Sequence, residues 1–140
     1  MNFENILLTL LIFLPLGGTL VLWLLPKALE SKAQSLALGI SLLEFTLSLF
    51  LLRTFDSSSH LLQFVQKVPW IPSFGISFFV GIDGISLWLI LLTTFLIPIV
   101  IFSSTVKQHI KGYMACFLIL ETAMIGTFVS LDLFLFYIFW

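Results

Sequence analysis

Two glutamates inside long apolar runs are the residues best able to do chemistry in this chain. Glu44 lies in the run from Ala33 to Leu52, and Glu121 lies near the centre of the run from Tyr113 to Val129. An ionised carboxylate that is alone in the middle of a bilayer costs several kcal/mol. Each acid is therefore expected to be protonated or paired. The functional interpretation is proton relay or charge coupling, and the structural alternative is a protonated acid bonded to a neighbouring backbone group or hydroxyl.

The neighbours of the two acids differ. Ser41 and Ser48 share a helix face with Glu44, and a polar stripe of this kind is expected to face other helices or a wet cavity. Glu121 has only apolar residues three and four positions away, so its own helix offers no partner. A partner for Glu121 is therefore expected from another helix, from water or from another subunit.

Two aspartates stand at the starts of predicted helices. Asp83 precedes the third apolar run, and Asp132 precedes the last one. A side-chain oxygen at the N-cap accepts from free N–H groups of the first turn, and a negative charge there suits the helix dipole. We therefore predict a capping role for both aspartates.

Helix-breaking residues interrupt two of the apolar runs. Pro98 deprives the Thr94 carbonyl of its usual N–H partner and predicts a kink in the third helix. Pro15, Gly17 and Gly18 interrupt the first helix, where they either kink it or allow a neighbouring helix to approach closely.

Other chemistries find no support in the residues. No nucleophile–base pair, phosphate loop or metal spacing is present, and the GIDG run at 81–84 lacks the third glycine of a dinucleotide fingerprint. Cys116 is a single cysteine, which excludes an internal disulfide, and we predict that it is a small buried core residue. His60 and His109 are predicted to be solvated loop residues. A net charge of −1 gives no footprint for nucleic acid.

The composition is that of a membrane protein. Hydrophobic residues make up 60% of the chain and charged residues 9%, whereas soluble domains have about 25% charged residues. A transmembrane helix needs about 20 apolar residues. We predict a single all-α membrane domain, 1–140, with four complete transmembrane helices and the start of a fifth, at about 6–25, 33–52, 84–102, 113–129 and 131–140.

The last predicted helix is too short to span a membrane. The eight apolar residues from Leu133 to Trp140 reach about 12 Å at 1.5 Å per residue, whereas a bilayer core is about 30 Å thick. The sequence is therefore expected to be a fragment that stops inside its fifth helix.

The segment between the second and third helices has a different period. Apolar residues alternate with small or polar ones from Phe74 to Ile82, which predicts a β-strand. A second strand from Leu62 to Val68 would pair with it across a connection at Pro69 to Ser73. We predict a hairpin outside the membrane at about 61–82, with Trp70 anchored at the interface.

Lysine placement predicts the orientation of the chain. The connections after the first and third helices hold Lys27, Lys32, Lys107 and Lys111, whereas the opposite side holds Arg53 and Lys67. By the positive-inside rule, the N-terminus and the hairpin are then on the outer side of the membrane.

Two stretches resemble a known family. They are PWIPSFGISFFVGIDGISLWLILLTTFL at 69–96 and FLILETAMIGTFVSLDLFLFYIFW at 117–140. Together they resemble the N-terminal part of the antiporter-like membrane subunit of respiratory complex I, NADH:quinone oxidoreductase, called subunit M or chain 4. Members of that family have about fourteen membrane helices.

The resemblance implies a part in proton translocation driven by NADH oxidation elsewhere in the complex. Partners would be the other membrane subunits and the lipid bilayer of a bacterial plasma membrane or an organellar inner membrane. NADH and quinone would act only through other subunits, and no cofactor is expected in this chain. Glu121 matches a position where many members carry glutamate. The family's main glutamate directly follows the F-W of the fifth helix, one residue beyond Trp140, so the chain alone is expected to be inactive.

Two other functions stay open at this point. One is a subunit of the related multisubunit sodium/proton antiporter, which shares ancestry with the complex I subunit. The other is a short membrane assembly or scaffold protein without transport of its own.

Overall fold

The computed structural model describes residues 3–59, 61–106 and 108–140, so the predictions for His60 and Lys107 lie outside the described residues. These residues form five α-helices: α1 Phe3–Leu24, α2 Ala33–Thr54, α3 Gly84–Ser103, α4 Ile110–Val129 and α5 Leu133–Phe139. Two antiparallel strands follow α2, namely β1 Gln63–Ile71 and β2 Ile76–Ile82, and short 3-10 helices occupy Lys27–Lys32 and Pro72–Phe74. Helices α1 to α4 are long and apolar enough to cross a membrane. The predicted fold class is therefore confirmed.

The four long helices pack around one central seam. Helix α2 contacts α4, while α1 and α3 each contact both α2 and α4. Successive spans run in opposite directions, so α2 and α4 run in the same direction. The seam between α2 and α4 is thus covered by α1 on one side and by α3 on the other.

The inner face of each helix follows from residue spacing. On α2 the buried residues recur every three or four positions, which keeps them on one stripe; they are Ala33, Ala37, Ser41, Glu44, Ser48 and Leu51. The outward faces carry many exposed large apolar side chains. Such faces suit contact with lipid, because lipid tails are as apolar as leucine.

A glycine sets the distance between α1 and the seam. A Cβ atom added at Gly18 would lie 2.7 Å from Ile40 Cδ1 on α2 and 3.2 Å from Leu118 Cδ1 on α4. A Cβ atom at Gly17 would meet nothing within 4 Å. Of the two readings for these glycines, close approach therefore applies to Gly18. Helix α1 also continues through Pro15, as α3 does through Pro98.

The turn of the hairpin lies later than predicted. It occupies Pro72 to Gly75, because Gly75 adopts the left-handed conformation (φ +69°) and donates its N–H to the Pro72 carbonyl at 3.1 Å. The predicted connection at Pro69 to Ser73 is wrong, since Pro69 belongs to β1 and pairs with Ser77. A proline is tolerated there because β1 has only one partner strand and the register is irregular between Pro69 and Ile71.

The hairpin is fastened to the helix bundle by polar contacts. The Thr9 hydroxyl of α1 donates to Gln66 Oε1 of β1 at 2.7 Å. The Leu131 N–H, in the connection between α4 and α5, donates to the Phe79 carbonyl of β2 at 2.8 Å. Strand β2 therefore lies between β1 and the α4–α5 connection.

The opposite end of the bundle is held by two long side chains. Gln34 Nε2 donates to the carbonyls of Ile101 at 2.9 Å and Ser104 at 3.0 Å, at the end of α3. Lys111 Nζ donates to the Leu25 carbonyl just after α1. Both contacts satisfy carbonyl groups that a helix leaves free at its C-terminus.

Cys116 corrects the prediction of a buried cysteine. Its side chain is exposed. The inner face of α4 is formed by Met114, Ala115 and Leu118 at this level, so Cys116 turns toward the lipid-facing side. His109 is exposed at the start of α4.

The Gly18 contact predicts an asymmetry between the two neighbouring glycines. Gly18→Leu should lower the free energy of unfolding by about 1–3 kcal/mol, because the added side chain must displace Ile40 and Leu118 in a packed interior. Gly17→Leu is the matched control and should be neutral or slightly stabilising. Unfolding of the purified protein in mixed detergent micelles, followed by circular dichroism, measures both. Equal destabilisation by the two substitutions would contradict the close approach at Gly18.

Candidate functional site

A polar layer divides the interior of the bundle. One apolar cluster lies on the hairpin side and includes Leu11, Leu51, Ile90 and Ile125, whereas a second lies at the opposite end. Between them each long helix contributes buried polar residues, here called the polar layer: Thr19, Ser41, Glu44, Ser48, Thr93, Thr94, Glu121 and Thr122. Hydroxyls and carboxyls are thus collected at mid-depth, with apolar packing at both ends.

Glu44 and Glu121 are the ionisable members of this layer. The side chains of both have 0% exposure. None of their four carboxylate oxygens has a hydrogen-bond partner among the described residues, and the Thr122 hydroxyl is also buried without one. The tertiary structure buries both acids in the same layer, although they are 77 positions apart in the sequence (121 − 44).

The hydroxyls of the layer are bonded mainly to one another and to the backbone. Ser48 Oγ and Thr94 Oγ1 form a hydrogen bond of 2.7 Å between α2 and α3. Ser48 Oγ also lies 2.8 Å from the Phe45 carbonyl, and Ser41 Oγ donates to the Leu38 carbonyl at 3.1 Å. The stripe of α2 therefore faces other helices, yet its serines do not hydrogen-bond Glu44.

Thr94 and Thr122 were not singled out as site residues from the sequence. Both are hydroxyl-bearing residues inside predicted membrane spans, and Thr94 is four positions before Pro98. Threonine in a membrane helix commonly returns its hydroxyl to a carbonyl of the same helix, as Thr94 Oγ1 does to Ile90 at 3.0 Å. Sequence alone therefore gives no reason to prefer them over Thr93.

Asp83 is the N-cap of α3. Its carboxylate accepts from the Ser86 N–H at 2.7 Å. This hydrogen bond favours the ionised form and holds the pKa of Asp83 below its ordinary value.

Asp132 is the N-cap of α5 and also contacts the hairpin. Its carboxylate accepts from the N–H groups of Phe134 at 2.9 Å and Leu135 at 3.4 Å, and from the Ser77 N–H of β2 at 3.3 Å. Desolvation opposes the charge of Asp132, but these hydrogen bonds together with Lys67 outweigh it and lower its pKa. Both aspartates therefore act through helix starts outside the membrane-spanning segments.

The described residues limit the chemistry of the site. No group of three His, Cys, Asp or Glu side chains that could hold a metal ion occurs among them. Two enclosed carboxyls can accept, hold and release protons. The fold and the polar layer define a class of protein, a multi-pass helical membrane protein with acids enclosed in its core.

Comparisons with known proteins give this class a family context. No family model matches the chain. The chain is 41% identical over 92% of its length to the NADH-ubiquinone oxidoreductase chain 4 of Marchantia polymorpha, covering 26% of that protein. It is 44% identical over 95% of its length to chain 4 of Mycosarcoma maydis, covering 28% of that protein. It is 39% identical over 95% of its length to the NADH-quinone oxidoreductase subunit M of Rickettsia typhi, again covering 28%.

These similarities confirm the resemblance inferred from the two sequence stretches. The chain is a relative of chain 4, or subunit M, of NADH:quinone oxidoreductases. It spans about a quarter of the length of the curated relatives it matches.

The Asp83 cap predicts a stability change that depends on pH. Asp83→Ala should lower the free energy of unfolding by about 1 kcal/mol at neutral pH, because the Ser86 N–H loses its acceptor. Asp83→Ser keeps an acceptor and should retain most of the stability. Because the pKa of Asp83 is lowered on folding, the stabilisation is present at neutral pH and is lost as the pH falls through the lowered pKa. Unfolding at several pH values measures this, and a pH-independent difference between Asp83 and Ala would contradict it.

The Ser48–Thr94 hydrogen bond predicts a coupling between α2 and α3. A double-mutant cycle with Ser48→Ala and Thr94→Val should give an interaction free energy of about 0.5–1 kcal/mol, the range for polar contacts between membrane helices. Thr46 is exposed and bonds only its own helix, so Thr46→Ala combined with Thr94→Val should be additive. Additivity in the Ser48 cycle would show that the bond contributes nothing to helix association.

Proposed function

We propose that this chain is part of a proton-translocating membrane subunit of an NADH:quinone oxidoreductase, with Glu121 and Glu44 on the proton path. The observation that supports this most is that two fully buried acids of the polar layer have no hydrogen-bond partner in the part of the chain that the structure describes. Acids enclosed among membrane helices typically mark ion paths. The similarity to chain 4 and subunit M supplies the kind of complex in which such a path would work.

The proposed role of the chain is proton transfer without redox chemistry. A carboxyl that accepts a proton becomes neutral, so the dry interior tolerates it, and a carboxyl that releases the proton creates a charge that the next group can use. NADH oxidation and quinone reduction would take place in other subunits. The chain itself is proposed to hold no cofactor.

The proposed partners are other membrane subunits of the same complex and the surrounding lipid. The chain would lie in a bacterial plasma membrane or an organellar inner membrane. The hairpin and the N-terminus would be on the outer side. Lys27, Lys32 and Lys111 support this orientation, because they are on the side opposite the hairpin, where the positive-inside rule expects the inner surface.

Copurification distinguishes this proposal from the sodium/proton antiporter. A complex I subunit should be isolated from solubilised native membranes together with flavin-containing and iron–sulfur subunits. An antiporter subunit, or a free-standing assembly protein, should be isolated without them. The names of the relatives favour the first outcome.

Replacement of Glu121 tests the proton path. In the intact complex, Glu121→Gln should slow NADH-driven proton uptake or release on the order of 10²-fold, the lower range for a positioned acid–base group. The amide keeps the shape of the side chain but cannot carry the proton. A pH-indicating dye in sealed membrane vesicles measures the rate. The control is Glu30→Gln, which makes the same change in the connection between α1 and α2. Wild-type proton transfer in the Glu121 variant would contradict the proposal.

A further inference from the structure

We infer that Glu44 and Glu121 form one proton-binding pair, enclosed by all four long helices, rather than two separate proton sites. In this pair a proton bound to one carboxyl oxygen can pass to the other carboxylate, directly or through water, so that one O–H bond breaks as the other forms. This inference deepens the proposed function, since it concerns the same polar layer. The evidence for the pair, however, is helix geometry and burial, which do not depend on transport activity.

The contact at Gly18 places the two acids at the same depth. Gly18 approaches both Ile40 of α2 and Leu118 of α4, so these two residues lie at one level. Helices α2 and α4 run in the same direction from that level. Glu44 is four residues beyond Ile40 and Glu121 is three beyond Leu118, which are rises of about 6 Å and about 4.5 Å at 1.5 Å per residue.

The two acids also lie on the faces that meet at the seam. Positions three or four residues apart share a helix face, so Glu44 lies on the Ile40 face and Glu121 on the Leu118 face. Both carboxyls are fully buried, although α2 and α4 expose many of their other side chains.

Both helix-interior prolines lie at the level of the acids. On α1, Pro15 is three residues from Gly18 in the direction of the acids. On α3, Thr94 bonds Ser48 of α2, so these two residues lie at one level. Pro98 is four residues from Thr94, and Glu44 is four residues from Ser48 in that same direction. Helices α1 and α3 run opposite to α2, so both prolines meet the acid level from the two sides of the seam.

Each proline adds a hydrogen-bond acceptor that lacks its usual donor. A proline has no N–H, so Pro15 leaves the Leu11 carbonyl, and Pro98 leaves the Thr94 carbonyl, without the partner four residues on. In membrane helices such carbonyls are commonly satisfied by neighbouring hydroxyls or by ordered water. These two carbonyls belong to residues one helical turn, about 6 Å, from the prolines on the hairpin side. At the level of the acids, the acceptors without a hydrogen-bond partner among the described residues include all four carboxyl oxygens of Glu44 and Glu121.

The cations among the described residues lie too far away to supply the missing donors. Neither residues 6–24 of α1 nor α3 nor β2 contains a titratable side chain. The other titratable groups on packed elements are Lys27, Glu30 and Lys32 of the 3-10 helix, Arg53 of α2, Lys111, Tyr113 and Cys116 of α4, and Tyr137 of α5. Arg53 is nine residues from Glu44, or about 14 Å along the helix, and Lys111 is ten residues from Glu121, or about 15 Å.

A proton is therefore the donor that this level lacks. Two neighbouring carboxylates in a dry interior repel each other, so ionisation of one opposes ionisation of the other. Groups coupled in this way release their protons in two separate steps that belong to the pair. The pair thus binds a proton in the interval between those steps, and that proton can reside on either acid.

Infrared spectroscopy tests the pair without any transport assay. The full chain, reconstituted in lipid bilayers, is titrated upward from about pH 6, where exposed aspartates and glutamates with an ordinary pKa of about 4 are already ionised. The C=O stretching band of the carboxyl groups that are still protonated is recorded, with exchange into D₂O to identify the band. Wild-type protein should lose this band in two separate steps of equal intensity. Glu44→Gln and Glu121→Gln should each remove half of the band's intensity. Each variant should show a single step near the pH of the wild-type first step, and the second step should be absent. Glu30→Gln should change neither step.

Each outcome decides the question. If each substitution removes only its own step and leaves the other at its wild-type pH, the acids are independent and the inference is wrong. A single wild-type step of double intensity, or the absence of the band at every pH, also overturns it, and these two results need no variant that must fold. Independent acids would leave the proposed proton path standing. If the infrared titration shows a pair but Glu121→Gln leaves proton transfer of the complex unchanged, the proposed proton path is wrong and the pair still stands.

Discussion

An acid that has left water without a counterion is the costliest group in this chain, and the arrangement of the helices depends on how that group is enclosed. Glu44 and Glu121 face the α2–α4 seam, and α1 and α3 cover the seam from its two sides. Apolar clusters occupy the interior on either side of the polar layer. The bundle thus encloses the polar side chains of its spans between apolar clusters, while its outer faces also carry apolar side chains, which suit lipid.

Contacts at the helix ends hold the spans in register, and register is what places the acids at one depth. On the hairpin side, Asp83 caps α3, and Asp132 caps α5 while it also accepts from Ser77 of β2. At the other side, Gln34 and Lys111 satisfy carbonyls at the ends of neighbouring helices. A slip of one turn along any span would move a residue by about 5.4 Å and separate groups that now share a level.

Local sequence signals located several parts of the fold and misplaced others. Alternating apolar residues indicated the hairpin, but the turn formed at Pro72 to Gly75 rather than at Pro69 to Ser73. The positive φ of one glycine, Gly75, decides where this tight turn closes. Cys116 shows the limit of residue type as a guide to burial. In a membrane helix, apolar residues occupy both the inner and the outer face, so composition cannot tell which face a small residue takes.

The sequence by itself determined that the chain crosses a membrane four times, that a hairpin separates the second and third spans, and that two acids lie in apolar runs. Those conclusions need only the length and period of apolar segments and the cost of a charge in lipid. Tertiary structure alone decided that the two acids are enclosed in one polar layer and that both prolines lie near their level. This placement depends on the direction, rotation and depth of each helix. Contacts between residues far apart in the chain, such as Gly18 with Ile40 and Leu118 and Ser48 with Thr94, set these three quantities.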